Sequence, residues 1–175
     1  MSTQANSGKS RAILDKIKNR DRDSIVDVNE EEIKLVIFSL RKNFFAFYGA
    51  DLKEVLPKGK INYVPGSPNY ILGITNVRGD VESVIDINGF LELPPHIESK
   101  NNRIIIAAKS GVRSGILVDS VEDVLDIPKR SITPPLSTLS DRIKPFVAGE
   151  TSYKNHNVTV LDIGRIFKEI SGAGE

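Results

Sequence analysis

Apolar residues along the chain fall into short runs separated by turn-forming clusters rich in glycine, proline and asparagine. Residues 33–40 and 44–48 form two such runs across a short polar turn. The first run is apolar on nearly both faces, which predicts a strand inside a sheet. Comparable β-branched or alternating runs, each predicting a short strand, span residues 61–64, 71–77, 81–87, 103–108, 114–118, 146–150 and 157–163. Short strands at this spacing, joined by Gly and Pro turns, favour small β-barrels over alternating strand–helix units.

Two segments depart from the strand pattern. Residues 50–56 predict a short helical turn or an irregular strand that ends at a proline. Residues 164–170 predict a short C-terminal helix, because Ile166, Phe167 and Ile170 would share one helical face. The fold class expected from the pattern is therefore all-β with one short terminal helix.

The run from residue 70 to residue 87 carries a clear hairpin signal. Its two β-branched halves flank the sequence Asn-Val-Arg-Gly, and Gly79 can take the positive φ that a tight turn needs. Arg78 is a fixed cation among apolar neighbours, so it must reach solvent or meet a carboxylate. We predict that it pairs with Glu54, which lies in the segment expected nearest the hairpin. Both a partner-binding role and a purely structural role for this pair are compatible with the sequence.

The chain contains an internal repeat. Residues 52–56 match residues 121–125, which lie 69 positions later, and the segments around Gly73 and Gly149 match at a distance of 76 positions. The extra residues of the second copy fall in a proline-rich loop, where insertions are well tolerated. We therefore predict two pseudo-duplicate five-stranded β-barrels packed together.

The predicted layout has an N-terminal extension and a body. Residues 1–31 are polar and highly charged, and they predict either a mobile tail or a short helix over residues 10–19 that docks on the body or on a partner. Residues 32–172 form the body. Its first barrel lies mainly in residues 44–92 and its second mainly in residues 102–163, and the terminal segments complete the pair.

The composition sets limits on function. The chain has 175 residues, 39% of them hydrophobic, and a formal net charge of +1, which is typical of a globular protein and argues against nucleic-acid binding. The absence of cysteine excludes disulfides and thiolate chemistry. No apolar run is long enough for insertion into a membrane, and the N-terminus has no signal-peptide pattern, so a cytoplasmic location is expected.

Signals for enzyme chemistry are weak. His96 and His156 lie in polar loops without clustered ligands, and we expect both side chains to be solvated. Asp86 and Asp162 end equivalent apolar strands, and as repeat equivalents they are expected to cap the following turn or helix. The alternative is a pair of carboxylates in a groove between the barrels, as in a small enzyme or ligand carrier. No catalytic, cofactor-binding or metal-binding residue is predicted.

The hairpin segment, with Ile-Leu-Gly-Ile-Thr-Asn-Val-Arg-Gly followed by Val-Ile-Asp-Ile, resembles the signature of the CheW-like domain family. Upstream, Phe-Tyr-Gly and Leu-Lys-Glu-Val resemble the second strand of that family and the segment after it. The resemblance covers about residues 32–171 and implies two five-stranded SH3-like barrels around a shared core. It also implies a non-enzymatic adaptor that holds the cytoplasmic tip of a methyl-accepting chemoreceptor and the regulatory domain of a CheA-type histidine kinase in one array.

The resemblance further implies that Arg78 pairs with Glu54 and is required for signalling. Partner-binding positions are expected at Leu52, Glu54, Val55, Leu56, Val77, Arg78, Gly79, Asp80 and Val81. The chain departs from the family at Ser83, where proline is usual, and at Asp80 and Glu82, where apolar residues are commoner. The two acids predict a partner with a basic complement. Within the same family, the alternative is an adaptor of a motility pathway or of another non-chemotaxis kinase array.

Overall fold

The computed structural model describes residues 30–172, which form ten β-strands and one α-helix. The predicted helix over residues 10–19 lies outside the described residues. The strands are β1 (Glu32–Leu40), β2 (Asn43–Tyr48), β3 (Leu52–Pro57), β4 (Ile71–Val77), β5 (Asp80–Ile85), β6 (Arg103–Lys109), β7 (Val112–Val118), β8 (Ser120–Pro128), β9 (Val147–Tyr153) and β10 (His156–Leu161). The helix α1 spans Ile163–Gly172, and short 3-10 helices span Gly49–Asp51, Asn88–Leu91, Lys129–Ser131 and Lys144–Phe146. The all-β prediction with a short terminal helix is confirmed.

The strands form two five-stranded sheets. Sheet I has the order β8-β1-β2-β10-β9, and sheet II has the order β3-β6-β7-β5-β4. Strand pairing is antiparallel except for the β2–β10 and β5–β7 pairs, which are parallel. Within residues 30–172, no ladder joins the two edge strands of either sheet. The strand β1 lies inside sheet I, as its apolar character on both faces predicts.

The internal repeat consists of two copies, β1–β5 and β6–β10, which have the same strand order. Each sheet contains strands from both copies. Sheet I combines β1 and β2 with β8, β9 and β10, and sheet II combines β6 and β7 with β3, β4 and β5. After β2 the chain crosses to sheet II through the 3-10 helix Gly49–Asp51. The segments 44–92 and 102–163 therefore each contribute strands to both sheets. The repeat reveals the strand order but not which copy each strand pairs with, because pairing is decided by tertiary packing.

Three apolar clusters follow from the alternation of side chains along the strands. In β1, Leu35 and Ile37 face a cluster inside sheet I, whereas Phe38 faces a core shared by both sheets. Sheet II has its own cluster, which includes Val84 and Ile106. The shared core also contains aromatic and aliphatic side chains of both sheets and of α1, namely Phe47, Ile85, Ile105, Ile116, Leu161, Ile166 and Phe167. Within the described residues, none of the helices has the length and apolar composition needed to cross a lipid bilayer.

The strand predicted over residues 61–64 is wrong, because this segment makes only an isolated bridge between Asn62 and Ile74. Gly73 explains the close approach of the two segments: its φ is +146°, and a β-carbon there would overlap the Asn62 carbonyl oxygen. The second copy of the repeat has the same close approach at a glycine. Thr133 bridges Glu150, and a β-carbon on Gly149 would lie 2.6 Å from the Thr133 carbonyl oxygen.

Candidate functional site

The hairpin of β4 and β5 turns through only two residues, Arg78 and Gly79. Their φ values are 53° and 97°, and two positive φ angles are typical of the tight turn that matches the twist of a hairpin. The Asn76 Oδ1 accepts a hydrogen bond of 3.0 Å from the Gly79 backbone N–H. The predicted tight turn is confirmed, and it presents the Arg78 side chain at the end of the hairpin, where 77% of that side chain is exposed.

Arg78 is paired with the predicted carboxylate. Its Nε donates a hydrogen bond of 3.0 Å to Oε2 of Glu54, whose side chain is 22% exposed. Glu54 lies in β3 and Arg78 follows β4, and these two strands are the opposite edges of sheet II. The ion pair therefore holds two edges of one sheet together where no strand ladder does.

Sheet I has an equivalent link without the arginine. Asp123 matches Glu54 in the repeat, and its Oδ2 accepts a hydrogen bond of 3.1 Å from the Tyr153 hydroxyl. Asp123 and Tyr153 lie in β8 and β9, the two edges of sheet I. Lys154, the equivalent of Arg78, instead lies over the Tyr153 ring at 4.8 Å from its centroid. An edge-to-edge link is thus common to both sheets, whereas a guanidinium in it is specific to sheet II.

Exposed apolar side chains flank the Arg78–Glu54 pair. Val55, which follows Glu54, is 40% exposed, and Val81 of β5 is 67% exposed. Ile74 of β4 is 37% exposed and shares the outer face of the hairpin with Val81. We call Val55, Ile74 and Val81, together with Glu54, Arg78, Gly79 and Asp80, the hairpin patch. Ile74 was absent from the expected contact positions, although its place between Gly73 and Thr75 in an alternating strand indicates an outward side chain.

Three of the expected contact positions point inward instead. Leu52 packs against the shared core, and Leu56 packs against the cluster of sheet II. Val77 is itself a buried member of that cluster. The reason is the strand alternation: Leu52, Glu54 and Leu56 occupy the same side of β3. Val77 is therefore buried, whereas Leu52 and Leu56 are half-buried and pack mainly against the interior.

The two acids of β5 have different environments. Asp80 is exposed at the start of the strand, whereas Glu82 is buried and its Oε1 lies 2.6 Å from Nε of Arg113 in β7. The expectation that both acids face a partner is therefore wrong for Glu82. Ser83 also faces β7, where its hydroxyl lies 2.8 Å from that of Ser114.

The repeat-equivalent aspartates are caps. The Asp86 Oδ1 accepts a hydrogen bond of 2.8 Å from the backbone N–H of Asn88. The Asp162 Oδ1 accepts bonds from the backbone N–H groups of Gly164 and Arg165, at 2.9 and 3.2 Å. The capping prediction is confirmed. Among the described residues, Asp86 and Asp162 line two different cavities.

The prediction that both histidines are solvated is wrong for His96. Its side chain is mostly buried, with Nδ1 3.5 Å from Oδ1 of Asp119 and Nε2 3.8 Å from Oε2 of Glu98. His156 is exposed, and its ring packs 5.3 Å from that of Phe44. In residues 30–172, no three His, Cys, Asp or Glu side chains are arranged to hold a metal ion.

Two ionisable groups lie near the crossing from sheet I to sheet II. A hydrogen bond of 2.9 Å from Lys109 Nζ to Asp51 Oδ2 raises the pKa of Lys109 above its ordinary value. Burial raises the pKa of the Tyr48 hydroxyl, and the negative charge of Asp162 adds to that effect. Both shifts favour the more protonated form in the folded state.

Similarity to known proteins extends over most of the described chain. A model of the CheW-like domain matches residues 34–171. A probable chemotaxis protein CheW of Rhizobium etli is 25% identical over 146 residues, which cover 83% of this chain and 94% of that protein. Protein PilI of Pseudomonas aeruginosa is 29% identical over 114 residues, covering 64% of this chain and 63% of PilI. The crystal structure of the scaffolding protein TtCheW from Thermoanaerobacter tengcongensis superposes with a TM-score of 0.68 at 30% identity, covering 78% of this chain and 88% of that one.

Proposed function

The chain belongs to the CheW-like domain family, and from this membership we propose that it is a non-enzymatic adaptor coupling chemoreceptors to a CheA-type histidine kinase. The family model spans residues 34–171, and a similar solved structure is that of a scaffolding protein. Within the chain, the observation that carries the proposal is the hairpin patch: a single exposed guanidinium, fixed by Glu54, among three exposed apolar side chains.

The hairpin patch has the features of a docking face for the regulatory domain of the kinase. Val55, Ile74 and Val81 offer apolar area that a partner can cover, and clustered exposed apolar side chains mark protein interaction sites. Arg78 provides a donor-rich group of the kind that is enriched at interface hot spots. Its hydrogen bond to Glu54 restricts the orientation of the guanidinium before binding, which lowers the entropy lost on association.

An adaptor of this kind transmits a signal only through differences in affinity. The receptor tip and the kinase regulatory domain would each bind the adaptor more tightly in one signalling state than in the other. Individual contacts of micromolar strength, about −8 kcal/mol, suffice when many copies are linked in an array. The second candidate function is the same adaptor role in a kinase pathway outside chemotaxis, which the similarity to PilI favours.

The proposal is tested by the affinity of the full chain for the regulatory domain of a CheA-type kinase, measured by calorimetry. Val81→Asp places a charge at the most exposed apolar residue of the hairpin patch and should weaken binding at least tenfold, about 1.4 kcal/mol. Leu136→Asp is the matched control, because Leu136 is also an exposed apolar residue but lies in the loop between β8 and β9. Equal affinities for the wild type and Val81→Asp would remove the hairpin patch as the kinase site. A receptor-tip pull-down then separates the chemotaxis role from the second candidate.

A further inference from the structure

A cavity of about 590 Å³ lies at the end of sheet I where the parallel strands β2 and β10 begin side by side. The rest of its wall comes from the segment around Leu91–Leu93 and from the loop between β8 and β9. We call it the Lys42 cavity, after the lysine of the β1–β2 turn that lines it. Small-molecule sites occupy about 300–1,000 Å³ and combine apolar walls with a few polar groups. The Lys42 cavity therefore has the size of a site for a small ligand.

The wall of the Lys42 cavity is mainly apolar. Its six apolar side chains are Phe44, Phe45, Leu91, Leu93, Leu139 and Ile143. Phe45 and Leu91 are buried, and the other four are half-buried. The apolar surface is thus recessed, unlike that of the hairpin patch, where Val55 and Val81 are exposed. A recessed apolar wall is suited to the body of a small molecule and is poorly placed to meet a flat protein or membrane surface.

Lys42 brings a free cation to the cavity. Its side chain is exposed, and within residues 30–172 its Nζ makes neither a hydrogen bond nor an ion pair. Four other lysines are paired with a carboxylate, namely Lys34, Lys58, Lys109 and Lys144. An ammonium group forms its strongest hydrogen bonds with anionic oxygens. The unpaired Lys42 is therefore available to the anionic group of a ligand.

The other polar groups of the wall do not oppose an anion. No Asp or Glu side chain of the described residues lines the cavity. Glu150 is buried behind the wall, where it accepts hydrogen bonds of 2.7 Å from Asn157 Nδ2 and 3.1 Å from Thr159 Oγ1. His156 is exposed, and its ring packs 5.3 Å from that of Phe44. Its imidazole can donate an N–H group to a carboxylate in either protonation state.

The repeat shows that this combination is specific to the first copy. The second copy has a cavity at the equivalent place, bordered by the β6–β7 turn and by α1. The residue that corresponds to Lys42, 69 positions later, is Gly111, so the repeat does not conserve the cation. Lys109 lines this second cavity but is paired with Asp51, and Asp162 adds a carboxylate to the wall. The apolar wall with an unpaired cation thus occurs only in the first of these two cavities.

We propose that the Lys42 cavity binds a small amphipathic carboxylate, that is, a molecule with an apolar body and one anionic end. The body would pack against Phe45, Leu93 and Ile143, where burial of apolar area supplies most of the affinity. The carboxylate would accept hydrogen bonds from Lys42 Nζ and from an N–H group of His156. This binding site does not depend on the adaptor function proposed above.

The test is an amide-shift NMR titration of the full chain with octanoate. Saturable shifts are expected at the backbone amides of Phe45, Leu93 and Thr159, with a Kd of about 1 mM for so small a probe. Octylammonium has the same apolar chain and the opposite charge, and it should bind at least about fivefold more weakly, because its charge would face Lys42. An absence of saturable shifts at these residues, or equal affinity for the two probes, would overturn the proposal.

A pair of lysine variants locates the charged contact. Lys42→Met keeps the approximate length of the side chain, removes the charge and should weaken octanoate binding about fivefold. Lys168→Met is the matched control, because Lys168 lines the equivalent cavity of the second copy, and it should leave octanoate binding unchanged. Lys42 is exposed and unpaired, so its replacement should not disturb the fold. Wild-type octanoate affinity in Lys42→Met would contradict the proposal.

Acetate tests the apolar part of the site. It supplies the carboxylate without the chain, so no saturable shifts are expected at concentrations that saturate with octanoate. Acetate binding as tight as that of octanoate would mean that the cavity recognises a bare anion, which would overturn the assignment to an amphipathic ligand.

A final arm distinguishes a soluble ligand from a membrane surface. Vesicles of phosphatidylcholine and oleate present the same carboxylate chemistry within a bilayer. We expect no co-sedimentation of the full chain with these vesicles, because the apolar wall is recessed. Co-sedimentation that is lost in Lys42→Met would assign the cavity to a membrane lipid and overturn the assignment to a soluble molecule.

Discussion

The Nε atom of Arg78 lies 3.0 Å from Oε2 of Glu54, although the two residues belong to opposite edges of sheet II. The contact fixes the β4–β5 turn relative to β3. Because most of the Arg78 side chain is exposed, the pair contributes little to stability, in the range of about 0–1 kcal/mol that is usual for surface ion pairs. Its main physical effect is to hold one guanidinium in a defined position on the surface.

A second arginine–glutamate pair in sheet II allows a matched comparison of stability. Glu82 is buried and lies 2.6 Å from Arg113. Arg113→Ala would leave a buried carboxylate without its cation and should lower the free energy of unfolding by about 2–3 kcal/mol. Arg78→Ala should lower it by less than about 1 kcal/mol. Urea denaturation measures both values. Equal losses would show that burial of the carboxylate does not determine how much each ion pair contributes to stability.

Because Gly73 lies so close to the Asn62 carbonyl, a single added methyl group there should strongly reduce the stability of the fold. Gly73→Ala combines an unfavourable φ with an overlap on the Asn62 carbonyl, and it should destabilise the fold by about 2–4 kcal/mol. Gly149→Ala should act in the same direction through the Thr133 carbonyl. Gly59→Ala is the control, because a β-carbon at Gly59 meets nothing within 4 Å. Thermal unfolding of the three variants checks this order of stability. A Gly73→Ala variant as stable as Gly59→Ala would contradict it.

The fold should lose stability at alkaline pH. The pKa values of Tyr48 and Lys109 are both raised in the folded state, so the folded chain binds protons more tightly than the unfolded chain. Their contribution is fully present below the unfolded pKa values, near pH 10, and disappears as the pH rises through the folded values. Tyr48→Phe removes one of the two groups and should make the decline in Tm above about pH 10 shallower. An identical decline in the variant would contradict the assignment to Tyr48.

The exposed acid of the hairpin patch predicts the charge of its partner. Asp80→Lys should weaken binding of a kinase regulatory domain with a basic complement, because like charges would then face each other across the interface. The fold should be unaffected, since Asp80 is exposed. The effect should shrink at high salt, which screens exposed charges. Unchanged affinity in Asp80→Lys would refute a basic partner face.

Local sequence signals predict most of the strands and the hairpin turn because they act over a few residues. Alternation gives the direction of each side chain, and Arg78-Gly79 gives the turn. The exchange of strands between the copies is not predictable in this way, since each strand could pair with either copy and distant packing decides. The position of His96 beside Asp119 is likewise set by distant packing, since the two residues are far apart in sequence.

The contact between Arg78 and Glu54 is also predictable from the sequence, because Arg78 needs an anion and Glu54 is the nearest expected acid. The inward direction of Leu52 and Leu56 could have been recognised, since they share a side of β3 with Glu54. The burial of Glu82 could not have been recognised from the sequence, because its cation, Arg113, lies on a strand of the other copy.

The most direct test of the adaptor role is the affinity of Arg78→Ala for the kinase regulatory domain, measured together with its circular dichroism spectrum. The account predicts an affinity loss of at least about tenfold with a nearly unchanged spectrum, because the guanidinium is exposed and contributes little to the stability of the fold. Wild-type affinity in Arg78→Ala, or a loss of affinity that coincides with global unfolding, would contradict it.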